Sequence, residues 1–268
     1  MTATVQDGTA AGGSAEAPGG SLEAFFVGGD GRYEPRAHAR SPWSESLVAG
    51  RLVCGLMARE VENALPAEGF VPSRMTVDLF RPIPLQPITI AAHTVRDGRR
   101  IRVIDVDASV DGIVVARASV LALRSGAADE EVAWTHISHR PPNPDLVAPP
   151  TRTAPRHFGE VRRVTDPDDR RFAWFRETAP MVENTADSPF EVAAMAADWV
   201  SPFTNMGATR LHYINGDVTL YLSRLPVGPW IGFENIDRVV TDGVAVSTCA
   251  LHDVTGRIGS ASAAALPY

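Results

Sequence analysis

Met75-Thr-Val-Asp-Leu-Phe-Arg81-Pro-Ile-Pro84-Leu-Gln-Pro87 alternates apolar and polar residues, reaches an arginine, and then carries two prolines three apart. Val218-Thr-Leu-Tyr-Leu-Ser-Arg224-Leu-Pro226-Val-Gly-Pro229 repeats that plan about 143 residues later. Alternation with period two predicts a half-buried strand, and the prolines, which lack an N–H, stop the ladder. Each stretch leads into an apolar run, at 88–92 and 230–233. Asp97-Gly98 and Asp242-Gly243 then predict tight hairpin turns. Alternating strands follow at 101–110 and 244–252, with second turns at Asp111-Gly112 and Thr255-Gly256. The closing strands share Ala118-Ser119-x-x-Ala122-Leu123 and Ala261-Ser262-x-x-Ala265-Leu266. So many aligned punctuation marks predict a tandem duplication of one antiparallel meander.

One helical segment precedes each meander. In 46–65, Leu47, Leu52, Val53, Leu56, Met57 and Val61 recur at helical spacing, and Pro66 and Gly69 close the segment. In 190–200 the stripe is Val192, Met195, Ala196 and Trp199, and Ser201-Pro202 is expected to end it. Met57-Ala-Arg-Glu60 and Met195-Ala-Ala-Asp198 put two acids at matching helical positions. Prolines 141, 142, 144, 149, 150 and 155 mark an extended connector. The organisation expected is a disordered tail over 1–22, a first unit over 23–125, a Pro-rich linker over 126–156 and a second unit over 157–268. Short strands are expected at 132–137 in the linker and at 160–164 and 172–177 in the second unit. A single helix covers little of a flat sheet, so the fold class is α+β, each long helix wrapped by an antiparallel sheet.

Composition narrows the function. The 268 residues include 25 basic and 32 acidic side chains, a net charge of −7, which argues against a nucleic-acid surface. Every basic residue is arginine, so lysine chemistry such as a Schiff base or a P-loop is excluded. Cys54 and Cys249 sit in apolar runs and read as buried thiols of a reducing compartment. No apolar run is long enough for a membrane span, and the start of the chain lacks a leader-peptide pattern. A cytoplasmic location is expected.

A long helix wrapped by an antiparallel sheet and duplicated in tandem resembles the double hotdog of type II acyl-CoA thioesterases. Ser41-Pro-Trp43-Ser-Glu-Ser46 with Val48-Ala-Gly50 is similar to that family's approach to its first helix. His212-Tyr-Ile-Asn215-Gly-Asp217 through Arg224 is similar to the strand after its second helix. The resemblance implies hydrolysis of an acyl thioester, on CoA or an acyl carrier, by a water that an Asp activates, with no cofactor or metal. The keywords it brings are fatty acid metabolism and a homo-oligomer. The family's catalytic set is an Asp, a Thr or similar polar residue, and a Gln. Asp198 matches the Asp and Asn215 falls at the Thr position. The Gln position falls on Ala263 or Ala264, with Ser260 or Ser262 as a short substitute donor.

The residues also carry their own chemistry. Asp198 on an apolar helix face is a candidate base whose pKa burial should raise; its plainer reading is a solvent-facing residue or a cap on Ser201. Asn215 can donate and accept, so it can hold a water; Asn-Gly is equally a turn. Gly50 and Gly207 let backbone N–H groups approach a substrate carbonyl. Trp43 either lines the substrate pocket or staples the helix start. Arg99-Arg100 and Arg162-Arg163 are candidates for a CoA phosphate, or solvated strand ends. His136 and His139 lack further metal ligands nearby, and Asp166-Pro-Asp168-Asp169 lacks the rest of a calcium loop. No Gly-x-Ser-x-Gly elbow occurs, which disfavours an α/β-hydrolase. The alternative is a non-catalytic acyl-CoA or acyl-carrier binding protein, motivated by the missing Gln. A hotdog hydratase is disfavoured because no His precedes Asp198 in its helix.

Overall fold

The computed structural model describes residues 22–66, 69–127, 142–149, 158–164, 171–207 and 211–267. The first half runs β1 (Phe26–Gly29), β2 (Arg32–Pro35), β3 (Arg40–Ser41), β4 (Ser44–Val48), α1 (Gly50–Ala64), β5 (Phe70–Leu79), β6 (Ile88–Asp97), β7 (Ile101–Val110) and β8 (Ile113–Arg124). The second runs β9 (Glu160–Val164), β10 (Phe172–Arg176), α2 (Pro189–Ala197), α3 (Val200–Asn205), β11 (Tyr213–Asn215), β12 (Asp217–Leu222), β13 (Ile231–Thr241), β14 (Val244–Asp253) and β15 (Gly256–Pro267). All but β3 and β4 join one antiparallel sheet, in the order β1-β2-β6-β7-β8-β5-β12-β15-β14-β13-β10-β9, with β11 alongside β15. The helices pack on one face, α1 against β6, β7 and α2.

The duplication is visible at the seam between the halves. There β5 pairs with β12, and Thr76 stands opposite Thr219, with Val77 opposite Val218 and Met75 opposite Leu220. The two threonines are 143 residues apart and their hydroxyls are 3.2 Å apart. A residue on a two-fold axis must face its own equivalent. The repeat read from the sequence therefore places an internal pseudo-dyad between Thr76 and Thr219. The correspondence extends to a defect: β5 shifts register between Pro72 and Arg74, and in the second half the same strand is split into β11 and β12 at Gly216.

Turn chemistry follows the sequence where two residues suffice. Asp111 and Gly112 have φ of 49° and 76°, and Asp242 and Gly243 have 48° and 80°. Both positions are left-handed in each turn, the geometry that matches strand twist and that Asp-Gly tolerates. Asp97-Gly98 instead opens a longer connection, in which the Gly98 N–H donates to the Ile101 carbonyl. Thr255-Gly256 turns on Asp253, whose carboxylate accepts from both backbone N–H groups.

Two helix expectations are corrected. The first helix starts at Gly50 rather than at 46, because Ser44–Val48 pairs with Arg40–Ser41 and with the chain after β5. Val48 donates to the Ile83 carbonyl and Leu85 to that of Ser46. The second helix breaks after Ala197 instead of ending before Ser201-Pro202. Pro202 lies in the first turn of α3, where a missing N–H costs no helical bond. Strands form at 160–164 and 172–176 as expected. The tail, the strand expected at 132–137, His136, His139 and Asp166 to Asp169 lie outside the described residues.

The core is continuous across both halves. It joins Leu52, Leu56 and Met57 of α1 to Phe190, Met195 and the inward residues of the strands. Close helix contact needs Gly55: a Cβ there would lie 2.6 Å from Met181 Sδ and Met195 Cγ.

Candidate active site between the halves

The two helices run antiparallel, so the start of α1 meets the end of α2. Helix α1 begins badly by itself. Its N-cap is Ala49, which has no side-chain acceptor for the free N–H groups of the first turn. Asp198 of the other half supplies it: the Arg51 backbone N–H donates to the Asp198 carboxylate. That carboxylate sits so close to the helix start that a Cβ on Gly50 would be 3.2 Å from its Oδ2. A larger residue there would press on the carboxylate.

Asp198 can reach this point because α2 ends there; it is the C-cap residue before the break to α3. Asn215, the last residue of β11, donates from Nδ2 to Asp198 Oδ1 at 2.8 Å. Its position is fixed by pairing with Ala265 on β15. Burial pushes the Asp198 carboxyl above the usual carboxylate range, against the Asn215 hydrogen bond, the Arg51 guanidinium and the Arg51 N–H. The neighbouring Cys54 thiol is driven far up by burial, with a further push from Asp198. It is therefore a poor nucleophile.

A cavity of about 1510 Å³ opens onto this group. The first half contributes Trp43, Leu47 and Gly50, with Leu79 to Ile83 after β5; the second contributes Phe158, Val161, Trp199, Met206, Ile214 and Asn215. The lining is mainly apolar, with one polar group at Asp198 and Asn215 and charged residues at Arg81, Glu160, Arg163 and Arg176, a form that suits an apolar ligand with a polar end. Arg81 and Arg163 are exposed at the cavity and have no ion-pair partner among the described residues.

The structure brings together Asp198, Asn215 and Gly50, with Trp43 on the wall and 43% exposed. It does not bring in Ser262. Ala261, Ala263 and Ala265 face the helices, and Ser262 points to the other face, its hydroxyl 2.8 Å from Thr248 Oγ1. The residue opposite Asn215 on β15 is Ala265; of the two positions to which the resemblance assigns the Gln, Ala263 is buried and Ala264 points outward. Gly207 follows Met206, which lines the cavity, but does not line it itself. Arg162 is withdrawn from ligand duty: it bonds Glu160 and the Pro144 carbonyl and lies over Trp230. Arg99 and Arg100 sit in the β6–β7 connection, away from the cavity.

Sequence reasoning missed Arg51 and Glu177. Their side chains are each 6% exposed and form an ion pair, Nε to Oε1 at 2.6 Å. The available signal was a charged residue inside the apolar run Val48-Ala-Gly-Arg-Leu-Val-Cys.

A duplicated helix-in-sheet unit is a double hotdog, and here a carboxylate–amide pair stands at a cavity between its halves. The chain belongs to the acyl-CoA thioesterase family: the family model of the N-terminal domain matches residues 39–123, and that of the C-terminal domain residues 107–262. Family and fold together support thioester hydrolase activity, with acyl-CoA as the substrate the family implies. Solved structures agree on the fold. The tesB protein of Mycobacterium avium subsp. paratuberculosis is 16% identical, with TM-score 0.65 over 90% of this chain and 94% of that one. Acyl-CoA thioesterase II of Mycobacterium marinum is 16% identical, with TM-score 0.62 over 81% and 90%. A hot dog fold protein of Alicyclobacillus acidocaldarius is 16% identical, with TM-score 0.66 over 91% and 95%. A search of curated proteins gave no match. Among the described residues, no helix is long and apolar enough to cross a membrane.

Proposed function

We propose that the protein hydrolyses acyl-CoA thioesters through a water held and activated by Asp198 and Asn215. The observation that carries this reading is the 2.8 Å bond from Asn215 to Asp198 at the uncapped start of α1, on the floor of the cavity. Asn215 and the Arg51 N–H take two of the carboxylate's acceptor positions, and its remaining lone pairs are available to a water. Asp198 takes the water's proton as its oxygen attacks the thioester carbonyl. The resulting oxyanion forms near the first turn of α1, where the Gly50 N–H is a donor and the positive helix end favours negative charge. Collapse breaks the C–S bond. The proton on Asp198 passes to the leaving thiolate, giving free acid and CoA. The apolar walls suit the acyl chain, and Arg81 and Arg163 suit the phosphates of CoA.

Free-thiol release from acetyl- to palmitoyl-CoA, with Asp198→Asn alongside, tests the reading. Loss of about 10²–10⁴-fold in kcat is expected for removal of a general base. Because burial raises the Asp198 carboxyl, activity should fall with acid at a pH above the ordinary carboxylate value of about 4. Full turnover by Asp198→Asn would remove the base.

A second reading rests on the alanines of β15. Ala263 and Ala264, to which the resemblance assigns the family's Gln, offer no side-chain donor. Saturable acyl-CoA binding with no thiol release would favour a binding protein.

A further inference from the structure

A buried guanidinium in the lining of the cavity that holds Asp198 needs a reason. Arg51 lies on the first turn of α1, on a helix whose neighbours Leu52, Val53, Cys54 and Leu56 are all buried. Burying a charge costs more than an apolar side chain of the same size would, so stability alone does not call for it. Arg51 meets Asp198 in two ways: its backbone N–H donates to the carboxylate, and its guanidinium acts on that carboxylate through charge. Glu177 takes the other side of the guanidinium, with Nε at 2.6 Å and Nη2 at 3.5 Å from its two oxygens. Phe25 covers a face at 5.5 Å. Arg51 and Glu177 both line the cavity, and they come from opposite halves.

We infer that Arg51, anchored by Glu177, is a positioning residue for Asp198: it lends the carboxylate a backbone N–H and the cavity a buried positive charge, while Glu177 restrains the guanidinium from taking the oxygen that the water needs. The inference rests on Asp198 being the base. The groups that face Asp198 are Arg51 and Cys54 from α1 and Asn215 from β11, with Glu177 reaching it through Arg51. Arg51 is the one cation acting on that carboxylate among the described residues. Removing it leaves burial opposed only by the Asn215 amide and the Arg51 N–H. Removing Glu177 takes away the carboxylate that holds Arg51 Nε at 2.6 Å.

The test is the pH profile of kcat/KM on the acyl-CoA turned over fastest in an acetyl- to palmitoyl-CoA series. Arg51→Gln is expected to move the acidic limb up by about one pH unit, about tenfold lower activity on the acid side, and to recover towards the wild-type plateau in alkali. Arg51→Lys should return the limb towards its wild-type position. Glu177→Gln should lower the plateau about tenfold and move the limb down. A fallen plateau in Arg51→Gln with an unmoved limb is what a merely structural arginine gives, and it overturns the inference. If the single variants do not fold, the apolar pair Arg51→Met with Glu177→Leu preserves volume, and its limb must move up, because the cation nearer to Asp198 is lost and the surroundings become more apolar. The ¹³C titration of the Asp198 carboxyl needs no turnover; an equal midpoint in wild type and Arg51→Gln also overturns the inference. Asp198→Asn separates the two ideas. Lost turnover in that variant with an unmoved Arg51→Gln limb defeats only the role of Arg51, whereas full turnover defeats the base and this inference with it.

Discussion

The two ends of the antiparallel helix pair are built on one plan and finished differently. At one end the start of α1 meets the end of α2, and at the other the start of α2 meets the end of α1. Helix α2 starts with Ser188, whose hydroxyl accepts from the Glu191 N–H while the Glu191 side chain accepts from the Ser188 N–H. That reciprocal cap satisfies its own donors. Helix α1 starts with Ala49 and cannot. The acids follow suit. Asp198 faces a cavity, whereas Glu60 accepts from the Tyr33 hydroxyl, Glu62 accepts from the Ser188 hydroxyl, and Glu191 pairs with Arg59 at 3.0 Å. A helix start that lacks its own cap leaves donors for a partner's carboxylate and for a ligand. A start that caps itself closes the equivalent place with protein.

The strongest way to break this comparison is to swap which end matters for turnover. Asp198→Asn should cost about 10²–10⁴-fold in kcat. Glu60→Gln, at the matching helical position, should leave kcat within about twofold. Equal losses in acyl-CoA hydrolysis would erase the distinction between the ends.

The closed end should also show itself in pH-dependent stability. Burial, helped by Asp187 and Glu62, raises the Glu191 carboxyl to about 7 against the pull of Arg59. A raised carboxyl favours folding in its protonated form. Its contribution is full below the unfolded value near 4.5 and is lost as pH rises through about 7. Glu191→Gln keeps a side-chain acceptor for the capping box. It should flatten the fall in Tm between pH 5 and 8 relative to wild type, and an unchanged slope would show that Glu191 does not hold the proton.

Smaller effects sharpen the comparison further. Gly55→Ala pushes against Met181 and Met195 where the helices touch, and should destabilise by about 1–3 kcal/mol in urea unfolding. Ser188→Ala should cost about 1 kcal/mol without changing turnover. An activity loss there would mean that the closed end is felt at the open one. Thr219→Val, at the pseudo-dyad, should cost about 0.5–1 kcal/mol, the value of one partly exposed hydroxyl bond.

Much of this was legible without coordinates. The spacing of Arg81 and Arg224, and of Ala118-Ser119 and Ala261-Ser262, carries the duplication. The period-two runs give the meanders almost residue by residue. The boundaries that failed were those decided by distant partners. Residues 44–48 are a strand because the chain near Ile83 and Leu85 supplies hydrogen bonds, and no local pattern records that. Asp198 and Asn215 could be named from the sequence. The Arg51–Glu177 pair could not, because its two members come from different halves and neither belongs to a motif.

What the sequence determined by itself was the repeated unit and the inward or outward face of each strand residue, because hydrophobic periodicity is local and survives in one dimension. What only the tertiary structure decided was which end of the helix pair became a site. It set Asp198 against an uncapped helix start and gave it Asn215 and Arg51 as neighbours. Those outcomes depend on contacts across the pseudo-dyad, where the two copies of the unit have diverged and each completes what the other lacks.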